Sequence, residues 1–319
     1  MEPVTVEAAV AMFLDSTRET LSPITFAMYR RYLRRLVEQF GQRPLVSLTP
    51  HVVRTWGKTY HVVQAVQRLT SWAKSEAMIV PSNPLEGMRK MPRGRRLRIL
   101  SSAESARLLR FSAPEFRHFL LALRESIARP GEIRTATWGD VRIAGLQPFT
   151  VADLVAGRAF IFLDKFKAQD RRKDFYAVRV LPISRRLGRL LARLWNDDRT
   201  AADPIFLNRL GKRWTINAVL CRLRRLRSVA GVTLDHRGEN VVAYSMRHTG
   251  ATRAICAGID LAVLAAMMGH TDVRMTSRYV HLAPDHLSKA MGKLSEVKMK
   301  NQGKIDRPGS LRNDPNDAR

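Results

Sequence analysis

Residues 90–98 interrupt this chain with a proline, a glycine and five basic side chains. A segment so rich in charge and turn-forming residues cannot bury a core face, and a chain of 319 residues is long enough for about two domains. We therefore predict a first domain over residues 1–91, a basic linker over 92–99 and a second domain over 100–298. Residues 299–319 are polar, with glycine, proline and asparagine, a composition typical of disorder.

The first domain has the apolar spacing of a small helical bundle. Its clearest helix covers residues 22–40, with Pro23 near its start and Gly41 just past its end, as helices prefer. Further helical segments are predicted at residues 4–14, from residue 49 onward and at 62–73.

The second domain mixes helical and strand patterns. Two runs rich in aromatic and β-branched residues predict strands at 159–163 and 176–181, joined by a long basic turn at 164–173. Helices are predicted around them at residues 103–111, 115–127, 184–195, 215–229, 246–257 and 261–268. Gly258 and Gly269 follow the last two of these helices, in the position that glycine favours after a helix.

The charge of the chain points to a polyanionic partner. Lysine and arginine total 55 against 28 aspartate and glutamate residues, which gives a net charge of +27. An excess of this size favours nucleic acid, with a ribosome or a membrane surface as alternatives. Charge does not distinguish DNA from RNA.

Cysteine usage and hydropathy are typical of a cytoplasmic protein. Cys221 and Cys256 lie in apolar, helix-like stretches without the spacing of a zinc site or a disulfide scaffold. We interpret them as reduced core thiols and expect no metal and no cofactor. The sequence shows no signal-peptide pattern and no apolar stretch near the length of about 18 residues that a membrane span requires, so we expect no membrane partner.

Four short motifs carry the chemistry, and they occur in a fixed order. Arg129 is followed three residues later by Glu132; Tyr244 precedes Arg247 by three; a Gly-His pair ends at His270; and Tyr279 follows nine residues beyond. This set resembles the catalytic signature of the tyrosine recombinases, the phage-integrase family that cuts and rejoins DNA. The resemblance covers about residues 4–295, closely at the motifs and loosely before residue 93.

The resemblance implies a role for each motif. Tyr279 would attack the scissile phosphate and form a 3′-phosphotyrosyl intermediate, which conserves the bond energy and needs neither ATP nor a metal. Arg129 and Arg247 would clamp the phosphate, because guanidinium donates two parallel bonds to phosphate oxygens and keeps its proton. His270 would contact a phosphate oxygen. Glu132 would pair with buried positive charge and so orient its neighbours.

Two further positions match the pattern of the family less closely. The family's catalytic lysine, which protonates the leaving 5′-oxygen, lies in the turn between two strands, where Lys167 is our candidate and Lys165 and Lys173 are its rivals. Tyr244 occupies the position of the usual histidine, and tyrosine can hydrogen-bond a phosphate but does not exchange protons near neutrality as histidine does. We interpret His248, which follows the second arginine, as a packing residue.

The resemblance also implies the architecture and the partners. The fold class would be mainly α with a small β-sheet: a helical core-binding domain and a mixed α/β catalytic domain forming a two-domain clamp around double-stranded DNA. The protein would act as a homo-oligomer, a dimer on one site and a tetramer in the synapse, with residues 284–297 docking on a neighbouring protomer. The resemblance also allows an accessory DNA-bending factor as a further partner.

The predicted function is that of a site-specific recombinase or integrase of a mobile element. A non-catalytic DNA-binding relative of the same fold and an enzyme like the type IB topoisomerases are the alternatives that share this chemistry or fold. A basic helical RNA-binding or ribosome-associated protein would account for the charge but not for the ordered motifs.

Overall fold

The computed structural model describes residues 3–92, 97–163, 179–280 and residue 291. The chain divides into two compact units, residues 1–95 and 96–319. Each unit is described separately below. In the described part of the chain, no helix is both long and apolar enough to cross a membrane.

The first unit is a bundle of helices, as predicted. Between residues 3 and 92 the α-helices are α1 (Val6–Ser16), α2 (Pro23–Phe40), α3 (Pro50–Trp56) and α4 (Tyr60–Ser75). The Ser22 hydroxyl accepts from a backbone N–H in the first turn of α2, and Thr49 does the same for α3, so both starts follow from N-cap chemistry. The ring of Phe13 packs edge-on against Tyr29 and Trp72 at the centre of the bundle.

The second unit is mainly helical. Its described helices are α5 (Ser102–Phe111), α6 (Pro114–Ser126), α7 (Pro130–Thr135), α8 (Val151–Ala156), α9 (Arg185–Leu194), α10 (Ile216–Val229), α11 (Ala243–Cys256), α12 (Leu261–Met268) and α13 (Arg274–Ser277). The six helices predicted from the sequence are all present. The sequence did not predict α7, α8 and α13, which are four to six residues long and too short to show helical periodicity.

A small antiparallel sheet lies in the second unit. Its strands are β1 (Val141–Arg142), β2 (Phe160–Leu163) and β3 (Arg179–Pro182), in the order β1-β2-β3. The pairing of β2 with β3 confirms the predicted hairpin partners, and Ile161 lies opposite Leu181. The two-residue strand β1 is too short to give an alternating pattern and was not predicted.

Two close helix contacts position the candidate site. Helix α11 approaches α6 at Gly250, where a Cβ atom would lie only 2.8 Å from the carbonyl oxygen of Arg124. A side chain at residue 250 would push the two helices apart, so glycine permits this contact. A small apolar cluster then joins the ends of α6, α11 and α12 to Tyr279, through Ile127, Ala251, Ala254, Ile255, Leu264 and Met268.

The cysteines differ in part from the prediction. Both thiols are free, but Cys221 is exposed on α10 and Cys256 is partly buried. The interpretation of Cys221 as a core thiol was wrong, because the side chain lies on the solvent face of a helix whose other face carries the buried leucines.

Candidate active site

Arg129 is held where the chain passes from α6 into α7. After Ser126 the backbone of Ile127 turns with a left-handed φ of 54°, and Pro130 starts the next helix. The carboxylate of Glu132 accepts the backbone N–H of Arg129 at 2.7 Å and its Nη1 at 2.8 Å. The guanidinium is therefore fixed by the helix start itself, and the predicted role of Glu132 as a partner of positive charge is confirmed.

Arg179 is a site residue that the sequence did not reveal. It begins β3 with its side chain 2% exposed, donates to the same carboxylate oxygen of Glu132 and donates to the carbonyl of Met267 at 3.1 Å. A Cβ atom at Gly269 would lie 2.8 Å from Arg179 Nη1. The available signal was the strand alternation, which places residue 179 on the same inward face as Leu181.

Arg247 is buried in α11 and bonded to two helix ends. Its Nη1 donates to the carbonyl of Ile127 at 2.6 Å, and its Nη2 donates to that of Met268 at 2.7 Å. These carbonyls terminate α6 and α12, where helices leave oxygens unpaired and the dipole favours a cation. Burial, and then the charge of Arg129, lowers the pKa of Arg247 to about 10, so the guanidinium remains charged at neutral pH.

His270 lies beside Arg247 and is neutral. Its Nε2 is 3.4 Å from Arg247 Nη2, and its Nδ1 is 2.7 Å from the Thr276 hydroxyl. Burial, followed by the charges of Arg247 and Arg129, lowers the pKa of His270 to about 3. Because a guanidinium nitrogen only donates, Nε2 accepts in this state and the Nδ1 proton is donated to Thr276.

Tyr279 closes the site from the C-terminal side. Its side chain is 2% exposed, and its ring packs in the apolar cluster of α11 and α12. Burial raises the pKa of the Tyr279 hydroxyl, while the charges of Arg247 and Arg278 oppose that rise. The hydroxyl is thus protonated in the unbound protein and lies close to cationic groups that favour its ionised form.

The structure corrects the interpretation of His248 as a packing residue. Its Nδ1 lies 2.8 Å from the hydroxyl oxygen of Tyr279, which makes it a direct partner of the candidate nucleophile. Sequence spacing could not reveal this contact, because 31 residues separate the two side chains.

Tyr244 lies in the first turn of α11 with 44% of its surface exposed. The helix begins three residues earlier than predicted, and the Ser245 hydroxyl in its first turn accepts the N–H of Val242, the residue before the helix, at 3.1 Å. The Tyr244 ring centroid is 6.3 Å from that of His248. The residue therefore borders the site from the solvent side.

Several predicted residues lie outside the described part of the chain. These are Lys167 with its rivals Lys165 and Lys173, part of the basic linker (residues 93–96) and, apart from residue 291, the segment 284–297. Their assignments stay predictions.

The described residues bring several positive charges close to a hydroxyl group. Arg129 and Arg179 both donate to the carboxylate of Glu132. Arg247 lies close enough to Arg129 for the two charges to interact. Guanidinium groups donate to the oxygens of a phosphate, and a neutral imidazole does so when its one proton is on the nitrogen that faces the phosphate. This arrangement can bind a phosphodiester and present it to Tyr279.

The fold of the chain is that of solved integrases. The integrase of the Tn1549 transposon, in complex with transposon right end DNA, superposes with a TM-score of 0.65 at 18% identity, over 92% of this chain and 100% of that one. A lambda integrase dimer bound to a COC′ core site gives 0.66 at 15% identity, over 86% and 77%. These similarities confirm the predicted fold class, mainly helical with a small sheet.

The family follows from the sequence match. Residues 98–286 match the model of the phage integrase family, and this chain belongs to that family, which confirms the resemblance to tyrosine recombinases. The integrase of Escherichia phage 186 is 44% identical over 50 residues, 16% of this chain and 15% of that protein. Tyrosine recombinase XerC of Pseudomonas aeruginosa is 30% identical over 133 residues, 40% of this chain and 41% of that protein. The chain thus spans less than half the length of these curated relatives.

Proposed function

We propose that this protein is a site-specific DNA recombinase that cleaves and rejoins DNA strands through a covalent 3′-phosphotyrosyl intermediate. The observation that carries the proposal is the clustering of Arg129, Arg247 and His270, with Arg247 close enough to Tyr279 for its charge to act on the hydroxyl. These residues come from four separate parts of the second unit, and their guanidinium groups are fixed by Glu132 and by helix-end carbonyls. Such preorganised donors suit the charge that develops on phosphate oxygens during transesterification.

The proposed reaction assigns one task to each group. Tyr279 attacks the phosphorus, and the two arginines and His270 stabilise the non-bridging oxygens. When the phosphate replaces His270 Nε2 as the acceptor for Arg247 Nη2, the imidazole takes its other tautomer. The Thr276 hydroxyl then donates to Nδ1, and the Nε2 proton faces the phosphate. Lys167, with Lys165 as its rival, protonates the leaving 5′-oxygen, and Tyr244 donates to the phosphate from the solvent side.

The partner we infer is double-stranded DNA. Support comes from the net charge of +27 and from the solved integrases of this fold, which include a lambda integrase tetramer bound to a Holliday junction. We extend this to a dimer on one site and a tetramer in the synapse. The phage 186 integrase and the Tn1549 integrase support a mobile-element context. In this proposal the domain bounds are those predicted from the sequence.

Two alternatives share the fold. A non-catalytic DNA-binding relative would have no reason to keep Tyr279 hydrogen-bonded beside Arg247, so the site disfavours it. An enzyme like the type IB topoisomerases would use the same groups but would not need strand exchange between protomers. Family membership disfavours the RNA-binding alternative.

Covalent capture tests the proposal without knowledge of the target site. A pool of nicked duplex oligonucleotides with a randomised centre is incubated with the protein, and DNA that stays bound in denaturing detergent is sequenced. We expect one enriched site, a phosphotyrosyl link at Tyr279 by mass spectrometry, and strand exchange between two copies of that site. Absence of any covalent DNA would contradict the recombinase proposal, and relaxation without exchange between sites would favour the topoisomerase alternative.

Tyr244 provides a separate prediction. Because a hydrogen bond to a charged group contributes about 1.5–3 kcal/mol, Tyr244→Phe should slow cleavage of the captured site about 10- to 150-fold. The fold should be unaffected, since the side chain is 44% exposed. Tyr244→His should be active, and its cleavage rate should show an added titration near pH 6 to 7. Cleavage by Tyr244→Phe at the wild-type rate would show that the Tyr244 hydroxyl does not bind the phosphate.

A further inference from the structure

His248 lies one helical turn from the position where the family places its histidine. Tyr244 and His248 are four residues apart on α11, a spacing that puts two side chains on the same helix face. Their ring centroids are 6.3 Å apart. An imidazole is therefore present at this edge of the site, displaced by one turn along the helix.

This imidazole contacts the reacting atom directly. Nδ1 of His248 lies 2.8 Å from the Tyr279 hydroxyl oxygen, which is the distance of a normal hydrogen bond. A neutral imidazole has one nitrogen that accepts and one that donates. If Nε2 carries the ring proton, the lone pair of Nδ1 faces the proton that Tyr279 must lose.

The surroundings keep this nitrogen available. Burial, followed by the charges of Arg247 and Arg278, lowers the pKa of His248 to about 4. The ring is thus uncharged at neutral pH. A phosphate bound against Arg247 would offset the repulsion from that guanidinium, so the proton affinity of the imidazole rises when DNA is present.

We propose that His248 is the general base that accepts the Tyr279 proton during DNA cleavage, an inference that rests on the proposed recombinase function. The Tyr279 O–H bond breaks and its proton moves to Nδ1, while the hydroxyl oxygen forms the bond to phosphorus. The bond from phosphorus to the 5′-oxygen breaks, and that oxygen takes a proton from the general acid, for which Lys167 is the candidate. In rejoining, His248 returns its proton to Tyr279.

His248→Asn tests this role with little change of shape. The asparagine carbonyl can accept a hydrogen bond near the position of Nδ1, but it cannot take the proton. General-base catalysis typically contributes about 10²- to 10⁴-fold, so we expect cleavage of the captured nicked site to slow by that factor with DNA binding unchanged. The matched control is His236→Asn, since His236 is exposed, and it should cleave at the wild-type rate.

The pH profile separates proton transfer from simple positioning. The groups that surround His248 are Arg247, Arg278, Tyr244 and Tyr279, of which the arginines stay charged. The wild-type rate should fall on the acid side as His248 takes up a proton. In His248→Asn, the rate should instead rise about tenfold per pH unit as hydroxide replaces the base. Adding Tyr244→His to this variant returns a histidine to the family's position and should restore part of the rate.

Each outcome is decisive. Cleavage by His248→Asn at the wild-type rate would overturn the proposal. Cleavage faster than that of the wild type would also overturn it, and would show that the contact with His248 only restrains Tyr279. If even the wild-type protein forms no covalent DNA, the recombinase function fails instead. Nitrogen NMR of the free protein then tests His248 by itself, and also serves if the variant does not fold. We expect Nδ1 unprotonated at neutral pH, and a proton on Nδ1 would overturn the proposal.

Discussion

Tyr279→Phe should eliminate the covalent protein–DNA complex and leave DNA binding close to that of the wild type. The change removes only the hydroxyl group, and the phenylalanine ring can occupy the same apolar cluster beside Leu264 and Met268. Because the nucleophile itself is lost, no residual covalent product is expected. The measurement is detergent-resistant complex on the captured nicked site, with binding measured separately by fluorescence anisotropy.

A matched control is available in the first unit. Tyr29 is also buried and packs against an aromatic ring, so Tyr29→Phe removes a hydroxyl from a similar environment and should retain cleavage. The stability of Tyr279→Phe should fall by about 0.5–1.5 kcal/mol, the net contribution of one hydrogen bond, because His248 loses its partner. Covalent DNA from Tyr279→Phe would contradict the assignment of the nucleophile.

Local chemistry made the elements predictable from the sequence. Helix α2 was predicted to within a residue, since Ser22 caps it, Pro23 occupies its first turn and Gly41 follows it. The end of α12 at Gly269 was predicted for the same kind of reason, because glycine takes the left-handed conformation there. These signals are carried by neighbouring residues and need no knowledge of the tertiary fold.

The contacts of the site could not be predicted in this way. Arg247 donates to the carbonyl of Ile127, 120 residues away, and Arg129 donates to that of Gly269, 140 residues away. Every residue has a backbone carbonyl, so the sequence does not indicate which helix-end carbonyls an arginine will bond to. The motifs identified which side chains matter, whereas the fold determines what holds them.

The role of a residue was the hardest property to predict. A histidine beside a core helix packs more often than it reacts, and His248 was interpreted accordingly. Its contact with Tyr279 depends on the turn after α12, which brings the C-terminal tyrosine back against α11. Arg179 was missed for a related reason, because in a chain with 55 basic residues a single arginine in a strand does not stand out.

Arg247→Ala should slow cleavage by at least the 10²- to 10³-fold that removal of one preorganised donor costs. Two effects add in the same direction. The phosphate loses a buried cation, and Tyr279 loses a charge that holds down its pKa, which burial already raises. Binding should weaken only modestly, since many other basic residues contact the DNA backbone in this proposal. The rate of covalent complex formation on the captured site measures the two effects together.

An independent readout distinguishes loss of this charge from misfolding. Arg247 contributes to the lowered pKa of both His248, at about 4, and His270, at about 3. In a folded Arg247→Ala protein both pKa values should therefore rise toward the usual histidine value of about 6.5, which proton NMR can follow.

The matched control for this variant is Arg253→Ala, which removes an exposed arginine from the same helix and should leave cleavage unchanged. Cleavage within tenfold of the wild type by Arg247→Ala, with the two histidine titrations shifted, would show that the buried arginine is a structural bridge between α6 and α12. The phosphate would then have to be held by Arg129 and other groups.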